Sequence, residues 1–120
     1  MYDNNNIFAK ILRGEIPCDK LFENDHALAF RDIQPQAPSH ILIIPKGQYT
    51  SFADFSEKAS DAEILGFMRA ISHVAKEEGL EAGGYRLISN HGKNSNQEVP
   101  HLHMHLLGGK NLGPLLGPLL

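Results

Sequence analysis

The chain has 120 residues, of which 42% are apolar, and a formal net charge of −3 with an isoelectric point near 6.1. That length supports one hydrophobic core without staples and leaves no room for a second domain. Its lysines and arginines are scattered, which excludes a basic footprint for nucleic acid or an anionic membrane, so an anionic ligand has to be held by local donors.

Residues 1–120 therefore read as a single domain, with 7–112 as its body and 113–120 as a Gly/Pro/Leu tail. Cys18 is the sole cysteine, which rules out an internal disulfide and fits a reducing compartment, with the cytoplasm as the expected location. The polar start Met1-Tyr2-Asp3-Asn4-Asn5-Asn6 has no targeting character, and the longest clean aliphatic run, Ile41–Ile44, is far too short to span a bilayer.

In chain order, Ile7, Phe8, Ile11 and Leu12 recur at helical spacing and predict a short amphipathic helix ending near Gly14. Cys18–Asn24 and His26–Asp32 predict a hairpin turning at Glu23-Asn24-Asp25, with His26, Leu28, Phe30 and Asp32 on one face of its second strand. Pro35 and Pro38 remove backbone donors and predict a rigid loop. His40–Ile44 follows as a strand apolar on both faces, hence inside a sheet covered on each side.

Ser60 with Glu63 matches a capping box, and Ile64, Leu65, Met68, Ile71 and Ala75 trace an apolar stripe up to a stop at Gly79. On this helix His73 is expected to face solvent. Strands are predicted over Tyr85–Asn90 and Val99–Leu107, which makes the chain α+β with an antiparallel sheet. Gly113-Pro114-Leu115-Leu116 recurs as Gly117-Pro118-Leu119-Leu120 and reads either as a loose end or as an apolar strap for a neighbouring subunit.

The chemistry concentrates in His101-Leu102-His103-Met104-His105. On a strand the three imidazoles share one face, about 7 Å from one to the next, while Leu102, Met104 and Leu106 enter the core. Three imidazoles can cap a metal with an open fourth position, as in a zinc hydrolase. They can also divide metal-free work, one neutral ring attacking phosphorus while its neighbours handle protons, because an imidazole of pKa about 6.5 is largely unprotonated at neutrality. Spacing alone does not decide between them.

Other candidates have two readings each. The polar loop 91–98 can offer donors to developing charge or be an ordinary loop. Asp32 can accept from ribose hydroxyls or cap a turn. Ile7, Phe8, Ile11, Phe30, Ile33 and Leu42 can form a slot for a base or simply core. His91 has no assignable role.

The run His101–Leu107 resembles the H-x-H-x-H signature of the histidine-triad family. Phe30–His40, Gly84–Leu87 and Gly108-Gly109-Lys110 are similar to its branch of histidine-triad nucleotide-binding proteins, bacterial members especially, and the likeness runs from Ile7-Phe8 to the tail. The resemblance implies a five-stranded antiparallel sheet with two helices, paired as a homodimer into a ten-stranded sheet. It implies a purine nucleoside 5'-phosphoramidase with no cofactor and no metal, in which His103 carries the nucleotide, His105 contacts the phosphate and assists the leaving group, and His101 and His40 support them.

It further implies nucleotide contacts by Phe8, Ile11, Phe30, Asp32, Ile33, Asn90, Asn96, Gln97, Glu98 and Val99, with a purine held but its edge unread. Dinucleoside polyphosphate hydrolysis and nucleotide-responsive binding are the competing activities, and Gly108-Gly109 disfavours the first. Three positions depart from the family pattern. Asn6–Ala9 lacks the zinc-binding cysteines of some relatives, Gln48 replaces a relay histidine of animal relatives, and Glu98 replaces a serine that touches phosphate.

Overall fold

The structure, a computed structural model, describes residues 1–117. Helix α1 covers Ile7–Leu12, and strands β1, β2 and β3 cover Lys20–Glu23, Ala27–Arg31 and Ser39–Pro45. Helices α2 and α3 then span Phe52–Lys58 and Asp61–Glu77, and β4 spans Tyr85–Ser89. A 3₁₀ turn at Lys93–Ser95 precedes β5 at Met104–Gly108. All neighbouring strands are antiparallel in the order β1-β2-β3-β5-β4.

Alternation through β3 explains the layering. Ile41 and Ile43 join Ala27, Ala29, Leu102 and Leu106 against Phe55, Phe67, Ile71 and Val74 of α2 and α3. Leu42 and Ile44 join Leu28, Phe30 and Phe8 beneath α1. The central strand is thus covered on both faces, as its continuous aliphatic run predicts. Asn6 caps α1 by accepting the Ala9 N–H at 2.9 Å, and Ser60 and Glu63 close the capping box of α3.

Several expectations need correction. Three α-helices stand among the described residues where two are expected: the additional one, α2, follows the cap Ser51. The buried stripe of α3 runs through Phe67, Ala70, Ile71, Val74 and Ala75, whereas Leu65 and Met68 are 53% and 52% exposed. The stripe is rotated because Phe67, the bulkiest residue facing the sheet, seats against Phe55. The hairpin strands are shorter than predicted, with a register shift between Lys20 and Phe22.

The last strand begins at Met104 and not at Val99. Pro100 has no N–H to donate, and the Leu102 N–H turns to the Tyr49 carbonyl at 2.8 Å, so Val99–His103 leaves the ladder. His73 is exposed as expected and lies against Phe22. In the tail, Leu115 and Leu116 are exposed while Arg86 donates to the Gly113 and Pro114 carbonyls; Pro118–Leu120 lies outside the described residues. Among the described residues no helix is long and apolar enough to cross a membrane.

Candidate active site

The α1 face of the sheet gathers the histidines. His105, on β5 opposite Leu42 of β3, and His40, opposite Leu107, lie on this face, and Asp32 follows β2 beside them. His101 and His103 arrive from the irregular segment ahead of β5, not from one straight strand. The His103 ring nevertheless joins those of the strands: the centroids of His103 and His105 are 5.1 Å apart, and those of His40 and His105 are 5.2 Å apart. Phe8 of α1 stands edge-on to His103 at 4.9 Å.

Hydrogen bonds assign each ring a tautomer. His103 Nδ1–H donates to the carbonyl of His101 at 2.8 Å, which leaves its Nε2 lone pair free. The Gln36 N–H donates to His40 Nδ1 at 3.0 Å, so the proton of His40 is on Nε2, which donates to His105 Nδ1 at 2.9 Å. His105 therefore carries its own proton on Nε2. His101 Nε2–H donates to the Pro45 carbonyl at 2.9 Å, and its Nδ1 accepts from the Tyr2 hydroxyl.

Burial keeps these rings neutral, since removing water penalises the imidazolium. Burial pushes His101 down to about 4 and, with His103 and His40 as neighbours, His105 down to about 4. Burial also lowers His103 and His40, with Asp32 opposing it in both. At neutral pH the group thus presents one free lone pair, on His103, next to one N–H donor, on His105.

A cavity of about 290 Å³ opens over this pair. Of the residues expected in the site, Phe8, Asp32, Leu42, Asn90, Asn96, Glu98 and Val99 line it together with His103 and His105. His40 and His101 stand behind their neighbours, 4% and 0% exposed. Ile11 packs against the Phe8–Leu42 cluster and lines a different hollow with Cys18, Leu28 and Lys46, Phe30 is buried beside Phe8, and Ile33 is 89% exposed on the proline loop, outside the cavity. The Gln97 side chain braces its own loop, holding Gly92, Thr50 and Val99.

Gln36, Ser95 and Tyr2 were not singled out from the sequence. The proximity of Gln36 to Pro35 and His40 was the one available signal, since a rigid loop ending at a buried histidine presents its N–H groups to that ring. A larger hollow, about 590 Å³, lies at the opposite end of β4 around Gly83-Gly84 and Lys110, with no histidine in its walls.

A three-histidine metal cap does not fit these donors. Both nitrogens of His101 are engaged within the protein, and the residue is fully buried. Asp32, His40 and His105 do bring ligand atoms within 4.8 Å of one another. There, however, the backbone donor on His40 Nδ1 puts the proton on Nε2, the nitrogen a metal would need.

Comparison with known proteins gives a consistent result. The HIT domain family matches residues 13–112. An uncharacterized 13.2 kDa HIT-like protein of Azospirillum brasilense is 58% identical over 96% of this chain and 94% of its own. A purine nucleoside phosphoramidase of Escherichia coli is 50% identical over 92% of each chain. The crystal structure of a HIT family hydrolase from Legionella pneumophila superposes with a TM-score of 0.83, at 41% identity, over 94% of this chain and 100% of that one.

Proposed function

The chain belongs to the histidine-triad (HIT) family of hydrolases, and from that premise we propose that it is a purine nucleoside 5'-phosphoramidase working through a covalent nucleotidyl-histidine on His103. The observation that carries the reading is the free Nε2 of His103, aimed into a cavity that also receives the Nε2–H of His105.

In the first half-reaction the His103 Nε2 lone pair attacks the α-phosphorus, the P–N bond breaks, and its electron pair leaves on the amine nitrogen. His105 Nε2–H donates a hydrogen bond toward that nitrogen, which takes its proton from a water entering the cavity. The hydroxide so formed attacks the phosphoryl-imidazole, and the nucleoside monophosphate departs with His103 regenerated and His105 neutral throughout. Positive charge that develops on His103 in the intermediate is met by the His101 carbonyl at Nδ1. Asp32 at the cavity wall suits ribose hydroxyls, and Phe8 with Val99 suits a base held by its faces, which admits either purine.

The reading includes a homodimer joined along β4. β4 is one edge of the sheet, and its Tyr85 and Leu87 are 40% and 41% exposed, which supports pairing with a second copy.

Mass spectrometry of protein quenched without acid during turnover of an aminoacyl adenosine phosphoramidate is the test. A nucleotidyl adduct on His103 is expected. Steady turnover with no adduct on any histidine would overturn the mechanism, and faster turnover of diadenosine triphosphate would replace the substrate class.

A further inference from the structure

The segment ahead of α1 is fastened to the body of the protein. The Asp3 carbonyl accepts from Asn6 Nδ2 at 2.7 Å, and Asp3 Oδ1 accepts the Asn5 N–H at 2.9 Å. Arg13 donates to the Asn4 carbonyl at 2.9 Å, and Gln48, from the segment after β3, donates to Asn4 Oδ1 at 2.8 Å. Asn6 is itself buried, its amide shared between this turn and the cap of α1.

This turn delivers the Tyr2 ring to His101, 99 residues later in the chain. The two rings meet edge-on with centroids 5.6 Å apart, and the phenolic hydroxyl reaches Nδ1. His101 is fully buried, and Tyr2 is the donor that reaches its Nδ1. Its remaining ring nitrogen is committed to Pro45, and its carbonyl accepts from the Nδ1 of His103.

We propose that Tyr2 is a positioning residue of the active site: its hydroxyl locks the His101 ring, whose backbone carbonyl fixes the tautomer of the nucleophile. The proposal rests on the reading of His103 as nucleophile. Without the hydroxyl, His101 Nδ1 is a buried acceptor with no donor, and the ring has reason to shift or rotate. The same residue supplies the carbonyl that holds His103, so a ring shift that carries the His101 backbone with it displaces that acceptor. Tyr2 touches no substrate in this scheme, so its loss should lower kcat and leave KM alone.

Tyr2→Phe isolates the effect, because it keeps the edge-on packing and removes one oxygen. Long-range ¹H–¹⁵N spectra of the histidine side chains report the His101 nitrogens whether or not substrate is present. In the variant the His101 Nδ1 resonance should move toward that of an unbonded ring nitrogen, with kcat lowered by about tenfold, KM retained and the fold intact.

Unchanged His101 resonances, or changed resonances with wild-type kcat, would overturn the proposal. A wild-type protein that turns over without a His103 adduct overturns the parent reading and this inference with it. An adduct in the wild type beside an unimpaired Tyr2→Phe variant overturns this inference alone.

Discussion

His103 Nδ1 lies 2.8 Å from the carbonyl oxygen of His101, two residues earlier on the same backbone. A carbonyl accepts and never donates, so this contact places the proton of His103 on Nδ1 and turns an unprotonated Nε2 toward the cavity. Replacing His103 with Ala removes that lone pair while leaving the sheet untouched, because the residue precedes β5. Turnover should fall by at least about 10³-fold with AMP binding and thermal stability largely retained. Calorimetric titration beside steady-state kinetics checks this, and a variant with near-normal turnover would dismiss His103 as nucleophile.

Much of this arrangement was legible in the residues, for reasons that differ by element. The run Ile41–Ile44 could be read as a central strand because both of its faces are apolar, and the two clusters on either side of β3 match that reading. The triad spacing told which rings share a side but not the backbone beneath them, because Pro100 and the Leu102–Tyr49 bond act on a register that alternation does not encode. Ile33 by type fitted slot or core equally, the resemblance alone favoured the slot, and the residue stands 89% exposed on the loop just before Pro35. The Tyr2–His101 contact joins the two ends of the chain, which no local pattern announces.

Acid should affect stability and activity in the same direction. His101 and His105, held at about 4 by burial, titrate near 6.5 once unfolded, so between those values the unfolded chain binds more protons. Their stabilising contribution is complete above about pH 6.5 and is lost as pH falls toward 4. Burial lowers His103 likewise, so the acid limb of kcat/KM should lie below the ordinary imidazole value. Thermal melts and pH–rate profiles test both statements; an acid limb at 6.5 or above would contradict the neutral, buried site.

Asp32 faces two ways. Its Oδ1 accepts the Gln34 N–H at 2.8 Å, and its Oδ2 stands 3.4 Å from His40 Nε2 at the cavity wall. If the carboxylate receives ribose hydroxyls, Asp32→Ala should raise KM by about tenfold or more for ribonucleotide substrates. The preference for a ribo- over a 2'-deoxyribo-substrate should collapse in the same variant. An undiminished preference would return Asp32 to the role of a turn-capping residue.

The rotated stripe of α3 gives a contrast in stability. Leu106 is wholly buried between β5 and α3, and Leu65 is 53% exposed although helical spacing had placed it in the core. Leu106→Ala should cost about 2–5 kcal/mol in chemical denaturation, and Leu65→Ala no more than about 0.5 kcal/mol. Comparable losses would mean that α3 sits on the sheet in the orientation its sequence first suggested.

One amide holds the loop that roofs the cavity. Gln97 Oε1 accepts the Gly92 N–H at 2.9 Å, while Nε2 donates to the carbonyls of Thr50 at 2.7 Å and Val99 at 3.0 Å. Within this span Asn96 adopts a left-handed conformation at φ 60, so the turn depends on being held at both ends. Gln97→Ala removes the acceptor and both donors, and amide hydrogen exchange over residues 92–99 should accelerate as kcat/KM falls by about tenfold. A side chain that instead binds the nucleotide directly would give a different pattern: KM would rise with exchange in the loop unchanged. The two measurements together therefore separate a brace from a ligand contact.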